Sequence, residues 1–319
     1  MKIKDFFTFY INRAKKYFAD TYRYWINVRY IMPQYKEAKI KCDQKKYKVP
    51  EFYEDVDTVD MIINNKMSLS RYGDGEFGWM AGKRFESFQN FSEKFAEDLR
   101  KAFCANNPKL LIGIPKGLFY TDGLNVFSRM FWTIIKASSY DNMEPFLDYS
   151  RTYVNASITR PYIDYNSRRF STKAFANIKR IWDKRDVVIV EGDKSKLGIG
   201  NDLFNNALSI KRILCPSVNA YDKIEDIRQA IYKYVRKDGL ILGALGPTAS
   251  ILASELSYEG YQFVDIGHID IEYMWYLKHS ILRDSIPGKY VNESKDKISA
   301  NIYDNDPDYI NSIIVRINE

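Results

Sequence analysis

The sequence predicts an α/β fold, with a mostly parallel sheet covered by helices on both faces and a basic amphipathic helix in front of it. Three observations carry that prediction. Short, near-continuous apolar and β-branched runs recur at 67–70, 109–114, 186–190, 211–215, 239–244 and 261–266, as strands buried on both faces require. Segments of helical character separate them, near 91–105, 123–137, 171–183, 201–209, 222–237, 247–259 and 270–283, the alternation of βαβ units. Gly, charged and hydroxyl residues follow most of the strand runs, and open parallel sheets bind ligands beyond their carboxyl ends.

The elements follow in order. Residues 3–31 contain no Gly or Pro, and Pro33 is expected to end the run. Ile3, Phe7, Tyr10, Ala14, Phe18, Trp25 and Val28 recur at helical spacing, with Lys15, Lys16, Arg23 and Arg29 off that stripe. A basic helix bearing Phe, Tyr and Trp suits an anionic membrane surface, through residues 1–32. The alternatives are packing against the body or a homo-oligomer contact. A nucleic-acid arm ranks last, because no second basic patch or nucleic-acid motif accompanies it, so no nucleic-acid partner is expected. Residues 33–60 read as a linker with a short helix start, which divides the chain into an arm and linker over 1–60 and a domain over 61–319. The tail, 287–319, predicts no particular element.

Composition narrows the function classes. The net charge is +7, 45% of residues are hydrophobic and 28% charged, which fits a globular chain. Residues 1–48 hold 13 Lys and Arg against four acids, a charge of +9, which leaves −2 for the rest. No run reaches the roughly 18 apolar residues of a membrane span, and no signal-peptide pattern opens the chain. Cys42, Cys104 and Cys215 form no CxxC pair, so neither a disulfide framework nor a cysteine zinc site is expected, and a cytoplasmic location is.

Four strand-end segments and a polar run at 155–162 carry candidate chemistry. Asp74-Gly75-Glu76 puts two carboxylates on a tight turn, hard oxygen ligands suited to Mg²⁺ or Mn²⁺; on its own, such a tripeptide is more often a surface turn. The stretch 191–202 is glycine-rich and leads into a helix expected near 201. Gly198, Gly200 and Asn201 there could bring backbone N–H groups to an anion, with Lys194 nearby, or form an ordinary βα loop. It matches neither the Walker A spacing nor G-x-G-x-x-G. His268 follows a strand and could ligate a metal, although a lone histidine is more often structural. Asp270 and Glu272 are candidate general bases or helix caps. Arg160 could pair with a phosphate, and Gly246-Pro247-Thr248 starts a helix with a hydroxyl beside it. No G-x-S-x-G elbow supports covalent catalysis.

Taken together, Ser70-Arg71-Tyr72-Gly73-Asp74-Gly75-Glu76, Glu191-Gly192 with Leu197 to Phe204, Leu245 to Ala249, and Asp265 to Tyr273 resemble the GT-D type of bacterial glycosyltransferase, once catalogued as a domain of unknown function. The resemblance covers roughly 60–283. It implies a Rossmann-like sheet and transfer of a sugar, glucose first, from a UDP-sugar to a cell-surface glycan, glycolipid or glycoprotein acceptor. It also implies a divalent metal held by a D-x-E motif that falls on Asp74 and Glu76, with Ser70, Arg71 and Gly73 beside the nucleotide-sugar. His268 as a further ligand and Asp270 or Glu272 as base extend that picture. A metal-dependent phosphotransferase or nucleotide-sugar hydrolase, or a non-catalytic membrane-surface module, would be the alternatives.

Overall fold

The computed structural model describes residues 3–85, 87–291 and 302–318, with side chains from residue 11 onward. The chain opens with one long helix, α1 (Ile3–Gln44), followed by β1 (Glu51–Phe52), α2 (Asp55–Asn64), β2 (Ser68–Arg71), α3 (Asp74–Met80) and α4 (Glu93–Phe103). Next come β3 (Leu110–Ile114), α5 (Val126–Met143), β4 (Thr152–Asn155), α6 (Arg168–Lys179), β5 (Asp186–Gly192) and β6 (Ser209–Cys215). The chain continues with α7 (Ile224–Tyr234), β7 (Leu240–Ala244), α8 (Pro247–Tyr258), β8 (Gln262–Asp265), α9 (Ile269–Lys278), α10 (Pro307–Ser312) and β9 (Ile313–Arg316).

The nine strands form one sheet in the order β1-β4-β3-β2-β8-β7-β5-β6-β9, and every pairing is parallel. Alternation along each strand sends residues to opposite faces. Leu111, Val187, Ile189, Leu240, Leu242 and Val264 meet Val59 and Ile62 of α2, Phe175 and Ile178 of α6 and Tyr273 of α9. Leu110 and Ile112 turn the other way, against α3, α4 and α5. Val188, Val190, Ile241 and Phe263 do the same against α7 and α8. The fold class read from the sequence is therefore the one observed, a Rossmann-like α/β sheet with two covered faces. β2 and β8 sit side by side at its centre; from β2 the chain runs outward through β3 to β4, and β5 then starts the other half of the sheet. That switch point is where a crevice opens at the carboxyl edge.

The structure corrects several local expectations. Pro33 does not end α1, which continues to Gln44. Pro33 and Arg29 are both exposed, so the carbonyl that the proline leaves unbonded can reach water. The expected boundary at residue 60 falls inside α2, and β1, within the supposed linker, pairs with β4. The tail supplies α10 and an edge strand, β9, paired with β6. The helix expected at 201–209 is a series of turns. Other partners take the backbone there: Asn201 Oδ1 accepts from the Leu203 N–H at 3.0 Å, and the Asn206 carbonyl accepts the Lys184 N–H at 2.8 Å. Such bonds compete with helical ones. Of the predicted N-terminal stripe, the side chains of Ile3, Phe7 and Tyr10 lie outside the described residues.

Candidate active site

A cleft of about 580 Å³ runs along the carboxyl edge of the sheet. The ends of β2 to β8 all contribute to its lining, through residues from Arg71, Pro115, Ala156, Gly192, Pro216, Ala244 and Asp265 onward. Of the candidates named from sequence, Arg71, Gly73, Asp74, Glu76, Arg160, Gly246, His268 and Asp270 line it. Ser70, Lys194, Gly198, Gly200, Asn201, Thr248 and Glu272 do not.

The acidic motif, expected on a tight turn, is the first turn of α3. The Gly73 N–H donates to Glu76 Oε2 at 2.7 Å, half of a capping box that satisfies one of the helix's open donors. Phe77, Trp79 and Met80 bury the other side of this short helix, which fixes both carboxylates against the core. Asp74 opens to the solvent of the cleft. The protein around it still raises its carboxyl pKa, mainly by withdrawing it from bulk water, while Arg160 pulls the other way. Burial pushes Glu76 up to about 7, against the Gly73 N–H and with help from Asp74 and Asp265. Two carboxylates that are costly to ionise side by side favour a cation between them.

Among the described residues, no three Asp, Glu, His or Cys groups converge to hold a metal. His268 therefore does not complete a three-ligand set with Asp74 and Glu76; it lies at the N-cap of α9, also facing the cleft. The donor set nevertheless fits Mg²⁺ or Mn²⁺. Such ions are commonly held by one or two carboxylates together with substrate phosphates, not by an all-protein cage.

Arg71 is held in place by the protein. Its Nε donates to the Asp265 carbonyl at 2.9 Å, Nη1 to the Ala156 carbonyl at 2.9 Å, and Nη2 to Asp265 Oδ1 at 2.7 Å. It clamps the ends of β2 and β8 to the segment after β4. Ser70 is buried beneath it and donates to the Ser250 carbonyl of α8 at 2.9 Å. Gly246 stands just before α8 at φ +55, where a side chain would strike Phe88. It brings the positive end of that helix to the cleft. Thr248 is fully buried, and its hydroxyl has no hydrogen-bond partner among the described residues.

The glycine-rich loop binds anions, but they are the protein's own. The Leu197 N–H donates to Glu191 Oε2 at 2.8 Å, and the Gly198 N–H to Asp270 Oδ1 at 2.8 Å. Asn201 Nδ2 adds a bond to the same Asp270 oxygen at 2.7 Å, while Lys289 pairs with Oδ2. Gly198 and Gly200 adopt φ +77, a region that favours glycine. Lys194 is exposed beyond the cleft.

The two candidate general bases, Asp270 and Glu272, are likewise engaged by the protein's own groups. Both oxygens of Asp270 are occupied, and it is buried. Glu272 is wholly buried; its Oε2 accepts the Tyr162 and Ile163 N–H groups at 3.2 and 3.0 Å. Its Oε1 lies 3.6 Å from Arg160 Nε, and burial pushes its pKa up to about 7. These two acids position other groups.

Sequence reasoning missed the aromatic side of the cleft. Trp79 and Phe85 stack at 4.9 Å, and Phe88, Phe131 and Trp132 join them in the lining. Spacing gave no signal, because these residues come from α3, α5 and a loop. It also missed Asp164, which accepts from Arg283 at 2.6 Å and from Ser128 Oγ at 2.8 Å.

Comparison with known proteins agrees with this architecture. The family described as glycosyltransferase GT-D fold matches residues 69–294. A probable glycosyl transferase, Gly, of Streptococcus gordonii is 38% identical over 222 residues, 69% of this chain and 32% of its own length. Glycosyltransferase GlyD of Streptococcus pneumoniae serotype 4 is 36% identical over 226 residues, 69% of this chain and 27% of its own length. The chain thus spans about a third of the length of the curated relatives it matches. A solved structure described as domain of unknown function 1792 with a distinct glycosyltransferase fold superposes with TM-score 0.78 at 33% identity, covering 84% of this chain and 96% of that one. A new glycosyltransferase of the same domain from Streptococcus sanguinis superposes at 0.76 with 32% identity, covering 85% and 100%. With the family match spanning most of the chain and the same sheet beneath it, this chain belongs to the GT-D glycosyltransferase-fold family.

Proposed function

We propose that this chain transfers a sugar from a UDP-sugar, UDP-glucose first, to a glycan, glycolipid or glycoprotein acceptor of the bacterial cell surface, and that it does so in the cytoplasm. The observation that carries the reading is the placement of Asp74 and Glu76 in a cleft that gathers the ends of the strands, β2 to β8. Asp74 and Glu76 would hold Mn²⁺ or Mg²⁺ jointly with the donor's diphosphate. When bound, the ion supplies neutralisation of the negative charge that develops on the departing diphosphate.

The chain's own groups do the rest. Arg160, tethered by Glu272, adds positive charge on the Asp74 side of the cleft. The N-terminus of α8 adds a partial positive charge beyond Gly246. Asp270 fixes the loop at 197–201, and Arg71 keeps β2 and β8 in register, so the cleft is held before the donor arrives. The aromatic side built by Phe85, Phe88 and Trp132, backed by the buried Trp79, offers flat apolar faces to a sugar ring.

Incubation with UDP-glucose and other UDP-sugars, with and without Mn²⁺, tests the proposal by following UDP release. UDP should appear only with the metal, and Asp74→Asn should abolish it. Free sugar equal in amount to the UDP, or UMP with sugar 1-phosphate, would instead favour a nucleotide-sugar hydrolase, and phosphate carried to an acceptor would favour a phosphotransferase.

A further inference from the structure

The outward face of α1 has a composition that sugar transfer does not require. The helix seats itself on α5 with Tyr24, Val28, Ile31, Tyr35 and Ala38, at spacings of three and four residues. Tyr24 Oη is bonded to Asn125 at 3.2 Å and accepts the Phe127 N–H at 3.1 Å. Of the apolar stripe predicted from sequence, only Val28 is buried on this face among the described residues. Phe18 is 72% exposed and Trp25 54%. With Ile11 and Tyr22 they fall within an arc of about 60° on the far side of the helix, and Ile26 borders them. A contiguous apolar ridge on a protein surface marks an interaction site.

Charge identifies what meets it. Arg29 and Lys36 lie on the line of the ridge and Lys15 beside it, all exposed. The first 48 residues carry +9 and the rest of the chain −2. A second copy would bring either another +9 helix, which repels, or a nearly neutral body. A bilayer with anionic lipid offers both an apolar layer for the rings and phosphates for the cations. Tyr and Trp are the residues that settle at such interfaces.

We propose that α1 lies in the headgroup layer of an anionic membrane, with Phe18, Tyr22 and Trp25 in the acyl boundary and Lys15, Arg29 and Lys36 at lipid phosphates. α5, directly behind α1, lines the cleft with Phe131 and Trp132. A membrane holding α1 therefore brings the cleft close to lipid, where a membrane-borne acceptor would be found. The inference stands apart from the sugar-transfer reading and survives its failure.

The experiment is vesicle co-sedimentation of the full chain. Truncating α1 would uncover the face of α5, so exposed substitutions are the better tool. The chain should sediment with phosphatidylcholine vesicles containing phosphatidylglycerol, not with phosphatidylcholine alone, and high salt should release it. Phe18→Ser with Trp25→Ser should weaken binding about tenfold or more while leaving the thermal melt unchanged. Lys15→Glu with Arg29→Glu should weaken it to a similar extent, about tenfold. Three results would overturn the proposal: no binding to the anionic vesicles, wild-type binding by the ridge variant, or light scattering that shows a dimer dissociated by the same substitutions.

Discussion

At the scale of single residues, the carboxylates of this cleft divide into those that face solvent and those the protein has claimed. Asp270 belongs to the second group. Asp270→Asn leaves the Lys289 ammonium buried opposite a neutral amide, so unfolding free energy should fall by about 3–5 kcal/mol in a denaturant titration. Lys289→Met added to it should recover part of that loss. Glu272 predicts a pH effect. Its folded pKa is raised from 4.5 to about 7, so the folded state holds more protons than the unfolded one across that window. Stability from this group is complete below about 4.5 and is lost as pH rises through about 7. Glu272→Gln should flatten that slope in melts taken between these limits, because it keeps an acceptor for Tyr162 and Ile163 and cannot ionise. The sequence identified both acids as important positions but not their roles. A strand-end carboxylate looks the same in one dimension whether it meets a substrate or the backbone of a loop seventy residues earlier.

At the scale of elements, the strands were legible because a strand buried on both faces has few ways to be written. β3, β5 and β7 are continuous apolar runs, and the expected ranges match them within two residues at either end. The departures have local causes. β9 is an Ile-Ile-Val-Arg run, β-branched but only four residues long, and its pairing with β6 at the sheet edge makes it a strand. α3 contains two glycines in seven residues, so propensity argues against it; its buried Phe77, Trp79 and Met80 hold it. α1 carries a proline through its middle because the helix on both sides of it packs against the body. Removing that proline is informative. Pro33→Ala restores a backbone hydrogen bond at an exposed site and should stabilise α1 by up to about 3 kcal/mol, seen as a higher melting temperature. Gly198→Ala should do the reverse, because φ +77 disfavours alanine and its methyl would meet Phe204 at 2.4 Å. A cost of about 1–3 kcal/mol is expected.

At the scale of the whole molecule, a parallel sheet aligns the carboxyl ends of its strands on one edge. That is why four motifs dispersed over two hundred residues could be read as one site before any contact was known. Sequence reasoning could not divide that edge into its open and its closed portions. The loop at 197–201 looked like an anion cradle and is one, filled by Asp270 and Glu191. The aromatic side drew on three elements that share no motif. The Asp74–Glu76 pair remains the only adjacent acidic pair of the sequence reading that still faces the cleft, and the functional account turns on it. The decisive measurement is the thermal shift produced by UDP, compared with and without Mn²⁺, in the wild type and in Asp74→Asn/Glu76→Gln. The account predicts a rise in melting temperature when UDP and Mn²⁺ are present together, little with either alone, and none in the double variant; at a hundredfold excess over the dissociation constant the wild-type gain is about 2.7 kcal/mol. An equal shift without the metal, or an undiminished one in the double variant, would contradict it.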